Sequence, residues 1–210
     1  MLPENLTVFV IDDDASVRDS LALMLGLGGY RTALFADAEA FLAAWQEDWA
    51  GCVITDLRLP GRSGLELQAE FRRRGIGLPF VLVTAHGDVP SARAAFQAQA
   101  VDFLEKPFDH EQLRAAIETA FALEERRMVR EQTQRADAEK LERLTARERD
   151  VLECASEGLH AKEIAARLGI SPRTVEVHKA RIMEKLGVRN VAELVRFALA
   201  SKQSGGNENQ

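Results

Sequence analysis

The sequence predicts two folded parts of different class: an α/β doubly wound five-stranded parallel sheet and a small all-α helix-turn-helix domain of four helices. Three observations carry this. Short β-rich runs alternate with helical stretches five times between Thr7 and Phe121, which is the pattern of a parallel sheet covered on both faces. Carboxylates, a threonine and a lysine stand where those runs end. Beyond Thr145 the chain carries helix caps and stops but no strand pattern.

Thr7 to Ile11 is the first strand, and it runs into Asp12, Asp13 and Asp14 before Val17, Leu21 and Leu25 recur at helical spacing. Arg31 to Phe35 is the second strand, and Phe41, Leu42 and Trp45 mark the helix that follows. Cys52 to Thr55 is the third, with Asp56 at its carboxyl end and Pro60, Gly61 and Gly64 marking a tight loop. Gly64 to Arg74 is helical, Phe80 to Thr84 is the fourth strand, Val89 to Ala98 another helix, and Val101 to Glu105 the fifth strand.

In an open parallel sheet ligands bind just beyond the strand ends. The loops there offer Asp12, Asp13, Asp14, Asp56, Thr84 and Lys106 on one edge of the sheet. Singly, each has an ordinary structural explanation as a cap, turn former or solvated side chain. Jointly they make a site for a hard cation and a phosphoryl group: carboxylate oxygens hold Mg²⁺, while lysine and threonine contact phosphoryl oxygens.

The motifs Val10-Ile11-Asp12-Asp13, Thr55-Asp56-Leu57-Arg58-Leu59-Pro60, Val83-Thr84-Ala85 and Glu105-Lys106-Pro107-Phe108 resemble the receiver domain of two-component response regulators over roughly residues 5 to 122. The resemblance implies a flavodoxin-like strand order, 2-1-3-4-5, and that Asp56 accepts a phosphoryl group from a sensor histidine kinase. It also implies that Asp13 and Asp56 ligate Mg²⁺ with the Arg58 backbone carbonyl, with Asp12 acting through a water. Lys106 would pair with the acyl phosphate, and Thr84 and an aromatic switch at Phe103 would relay the change to a dimer face on the fourth helix and fifth strand. A one-residue shift would make Asp13 and Asp14 the acidic pair. Asp12 and Asp13 are preferred because they follow the strand directly, and Asp14 suits an N-cap.

The sheet portion is expected to span residues 1–122 and a helical linker residues 123–143. Asp109 with Gln112 makes a capping-box-like start, and Leu113, Ile117 and Phe121 face the sheet. After Leu123 the apolar face nearly vanishes. Arg127, Glu131, Arg135, Glu139 and Arg143 then alternate in sign at i,i+4 steps, each pair adding about 0.2–0.5 kcal/mol. No Pro or Gly occurs between Phe108 and Leu144, so the simplest structure is one stiff helix of about 50 Å.

Residues 144–203 form the helical domain. Thr145-Ala146-Arg147-Glu148 is a capping box, Ala161 to Leu168 a second helix, and Gly169-Ile170-Ser171-Pro172 the turn into the helix Pro172 to Leu186. On that helix Val175, His178, Ile182 and Leu186 should face the core. Arg173, Thr174, Val177, Ala180 and Arg181 lie on or around the other side, a surface suited to a DNA major groove: Val177 and Ala180 for thymine methyls, Arg173, Lys179, Arg181 and Lys185 for phosphates or guanine. Glu176 repels phosphates and should face a base or pair with Lys179 or Arg173.

The segments Leu144 to Glu148, Lys162-Glu163-Ile164-Ala165 and Thr174-Val175-Glu176-Val177-His178 resemble the LuxR-type DNA-binding domain, which adds Lys162 to the DNA-facing set. With the receiver this gives a NarL/FixJ-type regulator, and His86-Gly87-Asp88-Val89-Pro90 leans toward the FixJ branch. The resemblance implies double-stranded operator DNA as ligand, a homodimer on phosphorylation, and RNA polymerase as a further partner. Asn190 should cap a last helix, and residues 204–210 should be a disordered tail.

Charge supports two halves with different partners. The net charge of −6 divides into 15 Lys+Arg against 23 Asp+Glu over residues 1–140 and 12 against 10 over residues 141–210. No apolar run approaches the ~20 residues of a membrane span, and the first residues lack a signal-peptide pattern, so a cytoplasmic location is expected. Cys52 and Cys154 read as buried thiols. A different class, a Mg²⁺-dependent haloacid dehalogenase-type phosphohydrolase using Asp12 and Asp14 as a D-x-D motif, fits poorly. Ser16 stands where that pattern expects Thr or Val, and no acidic pair follows Lys106.

Overall fold

A computed structural model describes residues 6–85 and 89–205. Five parallel strands, β1 (Thr7–Ile11), β2 (Arg31–Phe35), β3 (Gly51–Asp56), β4 (Phe80–Thr84) and β5 (Asp102–Glu105), form one sheet, parallel as the alternation predicts and in the order the resemblance implies, β2-β1-β3-β4-β5. Between them lie α1 (Ala15–Leu27), α2 (Ala38–Ala44), α3 (Gly64–Arg74) and α4 (Val89–Gln97), and α5 (His110–Glu142) follows β5.

Strand residues alternate between two cores, and this explains their continuous apolar runs. Val8, Val10, Cys52, Ile54, Val81 and Val83 pack with Leu21 and Leu25 of α1 and with Leu113, Ile117 and Phe121 of α5. Phe9, Ile11, Val53 and Phe80 point the other way, against Phe41, Leu67 and Phe71. Phe41 is fully buried within a lattice of Phe9, Phe35, Trp45, Trp49 and Phe71 rings. Each such side chain contributes about 1.5–3 kcal/mol by leaving water. Gly51 opens β3 at φ 146°, and a Cβ there would fall 1.8 Å from the Thr7 carbonyl oxygen, so β1 and β3 can pair this closely only over a glycine.

Two element ends are shorter than expected for one local reason. Gln99 adopts φ 65°, and the Ala100 N–H returns to the Ala95 carbonyl, so α4 stops at Gln97 and β5 starts at Asp102. The His86-Gly87-Asp88 part of the FixJ-branch motif lies outside the described residues.

The chain forms two compact units, Met1–Met128 and Val129–Gln210, and the division falls inside α5. The boundary expected at residue 122 also falls within α5. Glu124 is fully buried, Met128 packs on the first core, and the Arg127 guanidinium folds back onto Glu124 with two bonds of 2.7 Å.

The second unit contains α6 (Ala146–Ser156), α7 (Ala161–Leu168), α8 (Pro172–Leu186) and α9 (Val191–Gly205), with Leu144, Val151, Ile164, Val175, Ile182, Leu186 and Leu194 among its core. The sequence caps hold. Thr145 and Glu148 make a reciprocal capping box, Ser171 accepts from the Thr174 N–H with Pro172 in the first turn, and Gly169 closes α7 at φ 66°. Asn190 accepts from the Glu193 N–H. Ser204 and Gly205, placed in the tail by sequence, continue α9. Extending a formed helix by two residues costs little once its nucleus exists. Residues 206–210 lie outside the described residues.

Candidate functional site

At the carboxyl edge of the sheet the parallel strands end in a short stagger, with Ile11 paired to Thr55, Asp56 to Val83 and Thr84 to Glu105, so Asp12, Asp56, Thr84 and Lys106 emerge on one rim. Asp12 is buried and Asp56 half-buried, and the Lys106 ammonium bridges them, 2.8 Å from an oxygen of each. Partial burial would lower the lysine pKa, but hydrogen bonds to the two carboxylates hold it above its usual range. The backbone N–H of Lys106 donates to the Thr84 carbonyl, so strand pairing sets the lysine in place.

Each acid is further fixed. Asp56 Oδ1 accepts from the Arg58 N–H at 2.8 Å, and Asp12 Oδ1 accepts from the Asp14 N–H at 3.0 Å. Asp14 caps α1 as expected. Its carboxylate accepts from the Ser16 hydroxyl and N–H, which together lower its pKa. Asp13 is exposed beside them. Gly64 is required where it stands: a Cβ would sit 2.6 Å from the Asp56 carbonyl oxygen, so glycine lets α3 approach the loop. Thr84 is buried at the end of β4. Phe103 is half-buried and packs with Leu57, Leu82, Ala95 and Ala100. Leu57 directly follows Asp56, so this small cluster joins the acid loop to α4 and β5.

Among the described residues no three acidic, histidine or cysteine side chains already stand at metal-ligand spacing. The donors nonetheless suit a hard cation. Asp12, Asp13 and Asp56 supply oxygens, Arg58 a carbonyl, and magnesium takes one or two carboxylates with water completing its shell.

In the second unit Arg173, Glu176, Val177, Ala180 and Arg181 are exposed on α8, Thr174 is half-buried, and Lys162 is exposed on α7. Two expected DNA-facing lysines are engaged internally. Lys179 is 8% exposed and lies 3.5 Å from Glu176, one of the pairings the sequence allowed. Lys185 bonds Glu148 at 2.6 Å and the Arg143 carbonyl at 3.1 Å. Burial would raise the Glu148 carboxyl, but Lys185 and the hydroxyl and N–H of Thr145 hold it at about 2. His178, expected in the core, is only half-buried, and Lys179 takes that side of the helix with Val175, Ile182 and Leu186. A helical wheel assigns a long lysine to the surface by its charge. The aliphatic stem lets it lie along the core instead.

Sequence reasoning also passed over Arg18, whose Nη1 donates to the Asp12 carbonyl at 2.7 Å, and the Glu124–Arg127 pair. Neither belongs to a motif. A basic residue four positions after an acidic run was the available signal for the first, and an i,i+3 acid–base pair for the second.

The response regulator receiver domain model matches residues 8–118, and that of the luxR family of bacterial regulatory proteins matches residues 142–198. The chain thus belongs to the response regulators that couple a receiver to a LuxR-type DNA-binding domain, and it is a phosphorylation-dependent, DNA-binding regulator of transcription. Its similarity is to FixJ-type members. It is 44% identical to the transcriptional regulatory protein FixJ of Azorhizobium caulinodans over 94% of each chain. It is 40% identical to the C4-dicarboxylate transport transcriptional regulatory protein DctR of Rhodobacter capsulatus, over 92% of this chain and 99% of that one. Among solved structures, response regulator StyR matches with TM-score 0.80 at 41% identity, covering 93% of this chain and 99% of that one.

The haloacid dehalogenase reading finds no support. The receiver match begins before Asp12, and the second carboxylate it needs, Asp14, is occupied as a helix cap. No helix among the described residues is long and apolar enough to cross a membrane.

Proposed function

We propose that Asp56 is the phosphoacceptor, taking its phosphoryl group from the phosphohistidine of a sensor kinase. The observation that carries this is the Lys106 ammonium held 2.8 Å from both Asp12 and Asp56. An Asp56 oxygen attacks phosphorus as the bond to the kinase imidazole breaks, and Lys106 pairs with the negative charge the phosphoryl oxygens retain. Asp13 and Asp56, with the Arg58 carbonyl and Asp12 through a water, would hold Mg²⁺. The cation, when bound, neutralises charge on the transferred group and relieves repulsion between the acids. The Thr84 hydroxyl then turns to the new dianion, and Phe103 moves within the Leu57, Leu82, Ala95 and Ala100 cluster, altering the α4–β5 face through which two copies dimerise.

Treating the protein with a small acyl phosphate and Mg²⁺, trapping the acyl phosphate with hydroxylamine and mapping peptides should place the modification on Asp56. Modification of Asp12 instead would overturn the assignment.

The dimer presents two α8 helices to adjacent major grooves of operator DNA, with Arg173, Thr174, Val177, Ala180 and Arg181 toward the bases and backbone, Lys162 on a phosphate, and RNA polymerase as the downstream partner. Arg181→Ala is expected to weaken specific binding about 5- to 150-fold, from the ~1–3 kcal/mol of a good base contact, with unchanged thermal melting. Lys185→Ala is expected to act differently. It removes the partner of Glu148 and lowers the stability of the second unit by about 1–2 kcal/mol, discounted for the lysine's partial exposure. The sign with pH follows. The wild-type contribution of Glu148 is present above its unfolded pKa of about 4.3 and disappears as pH falls toward 2, so acid titration of the variant, which keeps only the Thr145 bonds, should show a smaller loss. Calorimetric melting at pH 7 and pH 3 checks it.

A further inference from the structure

We infer that Arg18 is a positioning residue for the cation site: by gripping the Asp12 carbonyl it fixes the direction in which Asp13 presents its carboxylate. The inference rests on the reading above that Asp13 is a metal ligand.

Arg18 lies in the opening turns of α1, where its own N–H donates to the Asp14 carbonyl. That is the wrong end of a helix for a cation, because the macrodipole is positive there. The guanidinium has Asp12, Asp13, Asp14 and Asp19 as sequence neighbours. Among the described residues it forms an ion pair within 4 Å with none of them, and it donates instead, through Nη1, to the backbone oxygen of Asp12 at 2.7 Å.

Consequently every hydrogen-bonding part of Asp12 that faces the site is held. Arg18 takes its carbonyl, the Asp14 N–H takes Oδ1, and Lys106 takes Oδ2. The carbonyl of Asp12 and the N–H of Asp13 share one rigid peptide plane. Fixing the orientation of that oxygen therefore fixes the plane from which the Asp13 Cα and side chain depart. Arg18 does this without occupying a carboxylate oxygen, so it orders the acidic loop and leaves Asp13 open to a cation. An arginine salt-bridged to Asp13 would instead compete with the metal.

A lysine at position 18 keeps the charge but lacks the length and planar fork to reach the same oxygen. Magnesium titration of the unphosphorylated full chain by calorimetry is the test. Arg18→Lys is expected to bind Mg²⁺ about fivefold more weakly, with its melting temperature in the absence of Mg²⁺ unchanged, and to exchange the Asp14 amide proton faster than wild type. A purely electrostatic Arg18 would instead give wild-type affinity for Arg18→Lys and tighter binding for Arg18→Met, which overturns the inference. Asp13→Asn separates the two levels of the argument. Wild-type Mg²⁺ affinity in that variant sinks the metal-ligand reading itself, whereas loss of binding there combined with wild-type affinity in Arg18→Lys sinks only the role of Arg18.

Discussion

Asp56→Asn is expected to reduce Mg²⁺-dependent labelling by a phosphodonor to background while leaving the fold intact. Asparagine has the same shape and keeps an amide oxygen that accepts the Arg58 N–H, now bonded at 2.8 Å to Asp56 Oδ1. Lys106 retains Asp12 as its ion-pair partner at 2.8 Å. The stability change should therefore stay within about 1 kcal/mol, the scale of a substitution that opens no cavity and strands no charge. What is lost is the anionic oxygen that attacks phosphorus, and neither Asp12 nor Asp13 can replace it. Asp12 is buried whereas Asp56 is half-exposed to an incoming donor, and Asp13 is exposed on the neighbouring loop. Operator binding measured with and without phosphodonor should show no phosphodonor response in this variant. Persistent labelling would place the acceptor elsewhere.

Much of this arrangement was readable because it depends on chain order. Residues at the carboxyl ends of parallel strands share an edge whatever their side chains do, so Asp12, Asp56, Thr84 and Lys106 could be brought together from strand assignment alone. Caps were equally legible, since Asp14, Ser171 and Asn190 act within three residues of themselves. Contacts that depend on which way a long side chain turns were not. Lys185 and Lys179 looked like solvent-facing cations by helical spacing, yet one reaches back to Glu148 and the other lies along the core. Arg127 was read as a rung of a surface ladder with Glu131. Its fork also closes on Glu124, a buried anion one turn earlier, with its stem over the bare surface of Gly77, and spacing alone did not show this.

That last pair gives the largest stability effect expected in the receiver. Glu124 is fully buried at the end of the sheet away from Asp56, where its carboxylate receives Nε and an Nη of Arg127 at 2.7 Å each and a longer contact from the Gly51 N–H at 3.4 Å. The arginine stem lies so close over Gly77 that a Cβ there would be 2.7 Å from its Cδ. Arg127→Met preserves that stem and removes the fork, leaving a buried anion with one weak donor. Breaking a buried pair from one side costs about 3–5 kcal/mol. Because Arg127 is itself partly exposed, water can reach the gap, and a loss of about 3 kcal/mol is the appropriate expectation, equivalent to roughly 10 °C in the melting temperature of a unit this size. The double variant Glu124→Gln with Arg127→Met should recover most of the loss, because the neutral amide needs no counter-charge and can still accept from Gly51. If instead Arg127→Met melts like wild type, Glu124 is satisfied by other groups, and the clasp cannot be what holds this turn of α5 in place.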